Sequence, residues 1–513
     1  MGFIDRSWRA GIGIAIAVAL LLLIGTRLPQ VAEDAYISFR YAANLVDRGE
    51  LVFNAGERVE AYTNLSWTLM LAGAYSLGIS LESASRWIGV GFAIASIVYV
   101  YRFALLFDAR RAPVAPVVLG VMTYHAIWSW LGLEPSAFGF FLLAVAYYLH
   151  NRNKAPSYGA AAVCAVLAYS FRPEGGLAML AVGTIVFVRR APLRWQVAAF
   201  LLATLLGHLA FRLAYYGDIL PNTFHAKAHV SIESVGYGAR YVADLAVFGG
   251  GAILIALGIA CRSDAVGTDT DRAMSAVVLI YLVYLVLVGG DYMGASRFGA
   301  PVLPLVSVWM FRAGLVLWDR DRAAKVGVVI AFVVHTALGA YALHRELATT
   351  EDGFISRIGF LQRYVHDRLL VGRWLEQNVD GPRTVTGSAM GVLPWHLREA
   401  QVVDARGITD RTVATTAPIV SGRPGHARFA SDAYLLSRHP EVLLHRYGIG
   451  PEPELRYAPA GYHPVCVSIA GMDEGNWFCF AKRDDVSLGI GTPPEGMFLA
   501  IVGEDGRVIW RAK

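Results

Sequence analysis

An apolar run and a polar run stand side by side near the start of the chain. Residues 11–25 read GIGIAIAVALLLLIG, and residues 32–64 read AEDAYISFRYAANLVDRGELVFNAGERVEAYTN. With its flanks, the first run is long enough for a helix that crosses a bilayer. Residues 28–33, LPQVAE, make a poor cleavage site for a signal peptide, so we expect the helix to stay in the mature protein. The polar run then begins where the chain leaves the membrane.

The composition of the whole chain is that of a polytopic membrane protein. Of its 513 residues, 56% are hydrophobic and only 17% are charged, which lies well outside the average for soluble proteins. The formal net charge is only +5, and the basic residues form short clusters between apolar runs. This distribution favours a membrane topology and argues against nucleic-acid binding.

Eleven apolar stretches are predicted to cross the membrane, because each is close to the length that a ~30 Å hydrocarbon core requires. They cover residues 10–29, 86–107, 113–131, 136–150, 157–171, 175–188, 195–215, 241–261, 274–290, 298–318 and 325–343. We therefore expect residues 1–343 to form a transmembrane domain of about eleven helices.

A twelfth candidate, residues 65–79, decides the topology. If it does not cross, five basic loops share the side of Arg6 and Arg9, which the positive-inside rule makes cytoplasmic. We therefore interpret residues 63–79 as a helix along the outer interface, within a first outer loop of residues 30–85. Trp67 and Tyr75 are its predicted headgroup anchors. The N-terminus is then predicted to be cytoplasmic.

With eleven crossings, residues 344–513 are exported, and their composition is that of a soluble α/β domain. A helical pattern covers residues 354–379, and short strand patterns cover residues 383–386 and 401–404. HPVCVSI, residues 463–469, and NWFCF, residues 476–480, are predicted to pair as antiparallel strands. Cys466 and Cys479 could then form a disulfide. We expect this domain to help hold a glycan.

Polar residues concentrate in five predicted outer loops. Because ionised side chains near hydrocarbon are costly, these groups should pair or face water, which predicts a polar cavity open to the outside. The candidate residues are Glu33, Asp34, Arg40 and Glu60 in the first loop, Glu134 in the second, Arg172 and Glu174 in the third, Asp218, Asn222, His225 and Lys227 in the fourth, and Asp291 and Arg297 in the fifth.

Such a cavity suits the transfer of a sugar whose donor is anchored in the bilayer. An acceptor hydroxyl needs a carboxylate as general base, which Asp34 or Glu33 could supply. A departing phosphate needs cations, which Arg172, Arg297, His225 and Lys227 could supply. The sequence has no GxxxxGK[ST] motif for a nucleotide, so the donor is expected to be lipid-linked.

Two segments of the first loop, EDAYISFRY (residues 33–41) and VFNAGERVEAYTN (residues 52–64), resemble the first outer loop of GT-C fold glycosyltransferases. They are most similar to the mycobacterial terminal β-(1→2)-arabinofuranosyltransferase group. The resemblance continues through GLE (132–134), RPEG (172–175), YGDILPNT (216–223), GGD (289–291), RF (297–298), DARGITD (404–410) and PGH (424–426).

The resemblance implies a transferase of the inner (plasma) membrane that moves arabinofuranose from a polyprenyl-phosphate donor to an exported cell-envelope glycan or glycoprotein. The first-loop acid would be the base and Glu134 a second acid nearby. Many relatives begin the first motif with two aspartates where this chain has Glu33 and Asp34, so the choice of base stays open. These acids are ligands that Mg²⁺ or Ca²⁺ accepts, but no spacing dictates a metal site, so a divalent cation is an open alternative.

Each candidate also has a purely structural interpretation. Asp34 could cap the helix that begins at Ala35, Glu134 could do the same before Pro135, and Arg172 could pair with Glu174 across a turn. His426 of the PGH motif would ordinarily be a surface histidine. For the whole protein, the rival to a glycosyltransferase is a non-catalytic lipid or glycan transporter, which would use the same cavity but also need an inward-open path.

Overall fold

The computed structural model describes residues 2–150, 156–227, 231–250, 268–379, 381, 383–486, 497–502 and 508–512. Up to residue 348 the described chain is almost entirely helical, whereas the rest combines helices with a β-sheet. Its N-terminal helices are α1 Gly2–Gly25, α2 Ala35–Arg48, α3 Leu65–Ser76, α4 Leu81–Ala104, α5 Val114–Gly120, α6 Thr123–Trp130, α7 Pro135–His150, α8 Tyr158–Phe171, α9 Gly176–Val188, α10 Arg194–Tyr216, α11 Asn222–Lys227, α12 Ile232–Asp244, α13 Asp269–Leu287, α14 Leu303–Trp318 and α15 Arg322–Ala348.

Five of the described helical stretches are long and apolar enough to cross a membrane. They are Leu81–Ala104, Arg194–Tyr216, Asp269–Leu287, Ala300–Trp318 and Arg322–Ala348, while shorter apolar helices cover Gly11–Gly25, Pro135–His150, Tyr158–Phe171 and Pro173–Val188. The predicted span at 113–131 is divided into α5 and α6, and much of the one at 241–261 lies outside the described residues. The total of eleven crossings therefore stays a prediction.

The loops that carry the predicted site residues meet at one end of the helical bundle, which we call the polar end. Asn64 Nδ2 donates to Glu134 Oε2 at 2.8 Å, Glu134 pairs with Arg172 at 2.8 Å, and Arg297 pairs with Asp34 at 2.6 Å. Between the first and second loops, α4 is followed by α5 and α6, which together cover one predicted crossing; α7 with α8, and α9 with α10, then connect the second loop to the third and the third to the fourth. A crossing by residues 65–79 would instead carry Glu134 away from Asn64.

Helix α3 is too short to cross a bilayer. Its 12 residues extend about 18 Å at ~1.5 Å per residue, against a hydrocarbon core of ~30 Å. Leu69 and Met70 are exposed on one side, whereas Trp67 and Leu71 are completely buried on the other. The prediction that Trp67 is a headgroup anchor is therefore wrong, because its indole ring packs into the main hydrophobic core.

The C-terminal region combines helices with a seven-stranded mixed sheet. The strands are β1 Thr384–Gly387, β2 Gln401–Asp404, β3 Val442–Gly450, β4 Tyr462–Ser468, β5 Trp477–Arg483, β6 Met497–Val502 and β7 Val508–Ala512; the helices are α16 Ile358–Asn378, α17 Val392–His396, α18 Arg411–Thr416 and α19 Asp432–Ser437. The strand order is β2-β1-β3-β5-β4-β6-β7. Strands β2 and β3 run parallel to β1, whereas β5 runs antiparallel to both β3 and β4.

The predicted antiparallel pair and its disulfide are confirmed. In the register of β4 and β5, Cys466 lies opposite Cys479, and the two form a disulfide. Cys164, the other cysteine among the described residues, is a buried free thiol. The cross-link therefore joins the central strand β5 to its neighbour β4.

The C-terminal region packs directly on the first polar loop. Tyr41, Phe53 and Tyr62 share one hydrophobic cluster with Leu444 and Phe480 of the sheet. This shared core explains how loops of the helical bundle and loops of the C-terminal region can build one site.

Candidate active site

Asp34 stands at the N-terminal end of α2, but its side chain does not cap the helix. Its Oδ2 instead accepts a hydrogen bond of 2.6 Å from Arg297 Nη1, and the Tyr292 hydroxyl lies 3.5 Å from Oδ1. The carboxylate thus faces the loop that contains residues 289–298, not the end of its own helix. A capping role for this side chain does not account for the geometry.

Arg297 lies between two carboxylates. In addition to its bond with Asp34, its Nε is 2.6 Å from Asp291 Oδ2. Ala295 and Ser296, which precede it, have φ angles of 50° and 45°. Left-handed backbone at non-glycine residues costs roughly 1–3 kcal/mol each and clusters at functional sites. Strained backbone at Ala295 and Ser296 therefore helps to position the guanidinium group of Arg297.

Buried contacts behind the loop maintain the strained conformation. Gly294 N donates to Ser356 O at 2.8 Å, and a Cβ on Gly294 would fall only 2.3 Å from Glu346 Oε2. The same carboxylate accepts hydrogen bonds from Arg357 Nη1 at 2.6 Å and Ile358 N at 3.3 Å. A fixed support of this kind lets a functional side chain keep one geometry.

Opposing influences act on the pKa of Asp34. Burial would raise it, but the positive charges of Arg297 and then Lys227 outweigh burial and hold the pKa below its usual value. For Asp291, burial dominates and raises the pKa despite Arg297. Of the two acids that contact Arg297, Asp34 is therefore the one that stays ionised at low pH.

Lys227 is the cation of the site without a direct partner. The residue is half-buried, and its ammonium group makes no hydrogen bond or ion pair with any residue that the structure describes. Burial lowers its pKa, and the negative charges of Asp34 and Asp291 act against that effect. An ammonium group in this position has donors available for a bound anion.

Glu134 and Arg172 form a second ion-pair group beside the first. Arg172 donates to Glu134 at 2.8 Å and binds both oxygens of Glu174 at 3.1 and 2.9 Å. The guanidinium carbons of Arg172 and Arg297 lie 4.4 and 4.6 Å from the centre of the Phe298 ring. Both arginines therefore contact the same aromatic ring, and each is paired with two carboxylates.

Glu33 has a different environment from its neighbour Asp34. Its Oε1 accepts backbone hydrogen bonds from Gly391 at 2.6 Å and Val392 at 3.3 Å, so it fastens the first loop to the C-terminal region. Burial, reinforced by the charge of Asp34, raises the pKa of Glu33 to about 8. The two acids are adjacent in sequence, yet only Asp34 is ionised at neutral pH.

The other first-loop candidates lie outside this group. Arg40 is buried, and its guanidinium group donates to carbonyl oxygens of Phe53 at 2.7 Å and Ala400 at 2.7 Å, among others. Glu60 forms a buried ion pair with Arg212 at 3.0 Å. Both side chains are occupied by the protein itself, which is the arrangement of structural residues.

In the fourth loop, Lys227 lies at the site, whereas the other polar residues make contacts elsewhere. His225 Nε2 lies 3.0 Å from Asp218 Oδ2, and both side chains are partly exposed. Asn222 Nδ2 donates to Gly407 O at 2.8 Å and so connects this loop to the C-terminal region. Helix α11 is thereby fixed with Lys227 at its end.

The structure adds two residues that the sequence did not single out for the site. The His426 ring packs edge-on against Tyr292, with ring centres 4.7 Å apart, and lies close enough to affect the pKa of Asp34. His426 belongs to the PGH segment noted in the sequence, which was the available signal. Tyr292 follows Asp291 in the fifth loop, where position beside a predicted site residue was the only signal.

The described residues show no metal-ligand group around Asp34. Three side chains that approach one another within 4.8 Å, as metal ligands do, are His366, Asp367 and Asp473, in the C-terminal region. Asp34 and Glu134 are paired with arginines instead.

Comparisons with known proteins place this geometry in context. No protein-family model matches the chain. A terminal β-(1→2)-arabinofuranosyltransferase of Corynebacterium glutamicum is 27% identical over 359 residues, which are 59% of this chain and 50% of that protein. The chain thus spans about half the length of this curated relative.

Two solved structures share the fold. ArnT from Cupriavidus metallidurans aligns with a TM-score of 0.58 and 13% identity in its apo form, over 93% of this chain and 98% of that one; it was also solved bound to undecaprenyl phosphate, with a TM-score of 0.56. The archaeal oligosaccharyltransferase AglB from Archaeoglobus fulgidus, in complex with an inhibitory peptide and a dolichol-phosphate, aligns with a TM-score of 0.53 and 12% identity over 80% and 65% of the chains. This chain accordingly has the fold of these two proteins and is similar in sequence to terminal β-(1→2)-arabinofuranosyltransferases.

Proposed function

We propose that the chain is a multi-pass membrane glycosyltransferase that transfers a sugar from a polyprenyl-phosphate donor to an exported cell-envelope glycan or glycoprotein. The observation that carries the proposal is the ionised Asp34, held by Arg297, with the unpaired ammonium of Lys227 nearby. A base for an acceptor and a cation for a phosphate therefore lie together. The sugar is arabinofuranose by similarity to the curated relative.

Asp34 is the proposed general base. Its Oδ2 is engaged by Arg297 at 2.6 Å, which leaves Oδ1, with only a 3.5 Å contact to the Tyr292 hydroxyl, to take a proton. As Oδ1 takes the proton of the acceptor hydroxyl, the acceptor oxygen forms a bond to the anomeric carbon. The bond from that carbon to the phosphate oxygen breaks, and its electron pair leaves with the polyprenyl phosphate.

Glu33 is a poor choice for the same role. Its carboxyl group is protonated at neutral pH because its pKa is raised to about 8, and its Oε1 already accepts two backbone hydrogen bonds. A neutral acid cannot take the proton of the acceptor. Its proposed role is to attach the C-terminal region to the first loop.

Lys227 is the proposed ligand of the donor phosphate. The donors of Arg172 are directed to Glu134 and Glu174, and those of Arg297 to Asp34 and Asp291, so the arginines position acids. The ammonium group of Lys227 makes no hydrogen bond or ion pair with a described residue. A charge-assisted hydrogen bond from it would strengthen as the leaving phosphate gains negative charge, which is how electrostatic catalysis acts.

Orientation in the membrane completes the proposal. The N-terminus is cytoplasmic, and the polar end with the C-terminal region faces the periplasmic or extracellular side, where a lipid-linked donor is the available sugar source. The acceptor then approaches from outside while the donor lipid stays in the bilayer. Both solved neighbours that were captured with a polyprenyl or dolichol phosphate support a donor of this chemistry.

The test uses the purified full-length protein in lipid nanodiscs. Given a polyprenyl-phosphate-linked arabinofuranose and an arabinan oligosaccharide, the wild-type protein should release polyprenyl phosphate and extend the oligosaccharide. Movement of intact donor across a vesicle membrane without release of polyprenyl phosphate would contradict the proposal and favour a transporter.

A further inference from the structure

A segment of the C-terminal region, residues 421–428, lies against the site loop. Arg423 binds both carboxylate oxygens of Asp352 at 2.9 Å and donates to Ser356 Oγ at 2.7 Å. A Cβ added to Gly289 would lie 3.2 Å from Pro424 Cγ. The segment is therefore attached to the same support that holds the strained loop before Arg297.

This attachment places His426 at the site. Its ring packs at 86° against the Tyr292 ring, and the Tyr292 hydroxyl lies 3.5 Å from Asp34 Oδ1. Gly425, with φ of 74°, lets the backbone turn beside Tyr292. The imidazole thus packs on Tyr292, whose hydroxyl contacts the oxygen of Asp34 that Arg297 does not bind.

The tautomer of His426 follows from its backbone contact. Nδ1 lies 3.1 Å from Pro424 O, and a carbonyl oxygen can only accept, so Nδ1 carries the proton. Nε2 then has a lone pair, and it makes no hydrogen bond with any residue in the described parts of the chain. The ring is neutral because burial, aided by Arg406 and Arg423, lowers its pKa to about 4.

The lone pair on His426 Nε2 determines which chemical group can bind there. A deprotonated phosphate oxygen cannot donate a hydrogen bond to Nε2, whereas a sugar hydroxyl group can. We propose that His426 Nε2 accepts a hydrogen bond from a hydroxyl group of the acceptor glycan and so orients that glycan toward Asp34. This inference rests on the proposed function, and it makes the C-terminal region part of the acceptor site.

Two substitutions separate this role from a structural one. His426→Asn keeps an amide N–H close to the position of Nδ1, so it can retain the bond to Pro424, but it places no acceptor near Nε2. His426→Gln places its amide oxygen near the position of Nε2. His463→Gln, on strand β4 and paired with Asp484 at 2.7 Å, is the matched control for histidine loss in the C-terminal region.

Two reactions are measured with each variant: transfer to an arabinan oligosaccharide, and release of polyprenyl phosphate by water without an acceptor. We expect His426→Asn to raise the KM for the oligosaccharide by roughly tenfold, the usual effect of losing one hydrogen bond to a substrate, with water-driven release unchanged. His426→Gln should recover a large part of the loss. His463→Gln should match the wild-type protein in both reactions.

Binding of the oligosaccharide without donor is measured in parallel by calorimetry. A wild-type protein that releases no polyprenyl phosphate would refute the proposed function, while weaker oligosaccharide binding by His426→Asn would still support the role of His426. If His426→Asn binds and transfers like the wild-type protein, the inference is wrong. It is equally wrong if transfer and water-driven release fall by the same factor.

Discussion

Replacing Asp34 by asparagine tests the centre of the mechanism. Asparagine keeps the size of the side chain and an oxygen that can accept from Arg297, but it cannot take a proton from the acceptor. The side chain does not cap α2, so no cap is lost. Turnover should fall by roughly 100-fold or more, the usual scale of general acid–base catalysis.

The cost to stability should be small by comparison. In the variant, the 2.6 Å hydrogen bond from Arg297 is accepted by a neutral amide oxygen in place of a carboxylate oxygen. This change should weaken the hydrogen bond by about 1 kcal/mol. Asp291 remains within 2.6 Å of Arg297 Nε, so the guanidinium group is not left without a counter-charge. The variant should therefore fold, insert and bind donor.

The assay compares release of polyprenyl phosphate by Asp34→Asn, by Glu33→Gln and by the wild-type protein in nanodiscs, with thermal unfolding as the measure of folding. Glu33→Gln should retain activity at neutral pH, because a glutamine oxygen can still accept from Gly391 and Val392. Full activity of folded Asp34→Asn would refute the assignment. Loss of activity in Glu33→Gln alone would transfer the role of base to Glu33.

Three further outcomes are expected. Lys227→Ala should raise the KM for the lipid-linked donor by roughly tenfold or more, from the loss of a charge-assisted hydrogen bond, whereas Lys227→Arg should restore much of it; an unchanged donor KM would exclude Lys227 as the phosphate ligand. The pKa of Glu33 is raised on folding, so its contribution to stability is complete below the usual value of 4.5 and is lost as the pH rises through about 8; unfolding temperatures measured across this range should decline less in Glu33→Gln. Reporter fusions after residues 155 and 400 should show a cytoplasmic and an exported site respectively, and an external signal at residue 155 would contradict the topology.

Asp34 and Glu33 show why adjacent carboxyl groups can take different roles. The two residues are adjacent in the first loop, but Asp34 contacts the guanidinium group of Arg297 in the fifth loop, whereas Glu33 contacts two neutral backbone amides of the C-terminal region. The positive charges of Arg297 and Lys227 together outweigh the effect of burial on the pKa of Asp34, whereas two amide dipoles do not outweigh it at Glu33. The separation of roles therefore depends on the partner that each side chain meets.

The sequence by itself predicted most of the long apolar helices, the polar loops between them and the disulfide. Apolar runs predicted most of the long helices within a few residues, because crossing a bilayer requires a local property, namely enough consecutive apolar residues, and a helix is the local structure that pairs its own backbone groups in lipid. The pairing of Cys466 with Cys479 followed from two short strands close in sequence. Charges next to apolar runs also identified Asp34, Arg172, Lys227 and Arg297 as candidates.

Only the tertiary structure decided which of these charges meet. Arg297 is 263 residues from Asp34, and Gly391 is 358 residues from Glu33, and no local pattern relates positions so far apart. The burial of Trp67, the occupied donors of Arg40 and the arrival of His426 beside Tyr292 likewise depend on how the C-terminal region packs on the first loop. A side chain's type fixes what it can donate or accept, but its charge state and role depend on the partners that folding brings within a few ångströms, because electrostatic interactions and desolvation act through space and not along the chain.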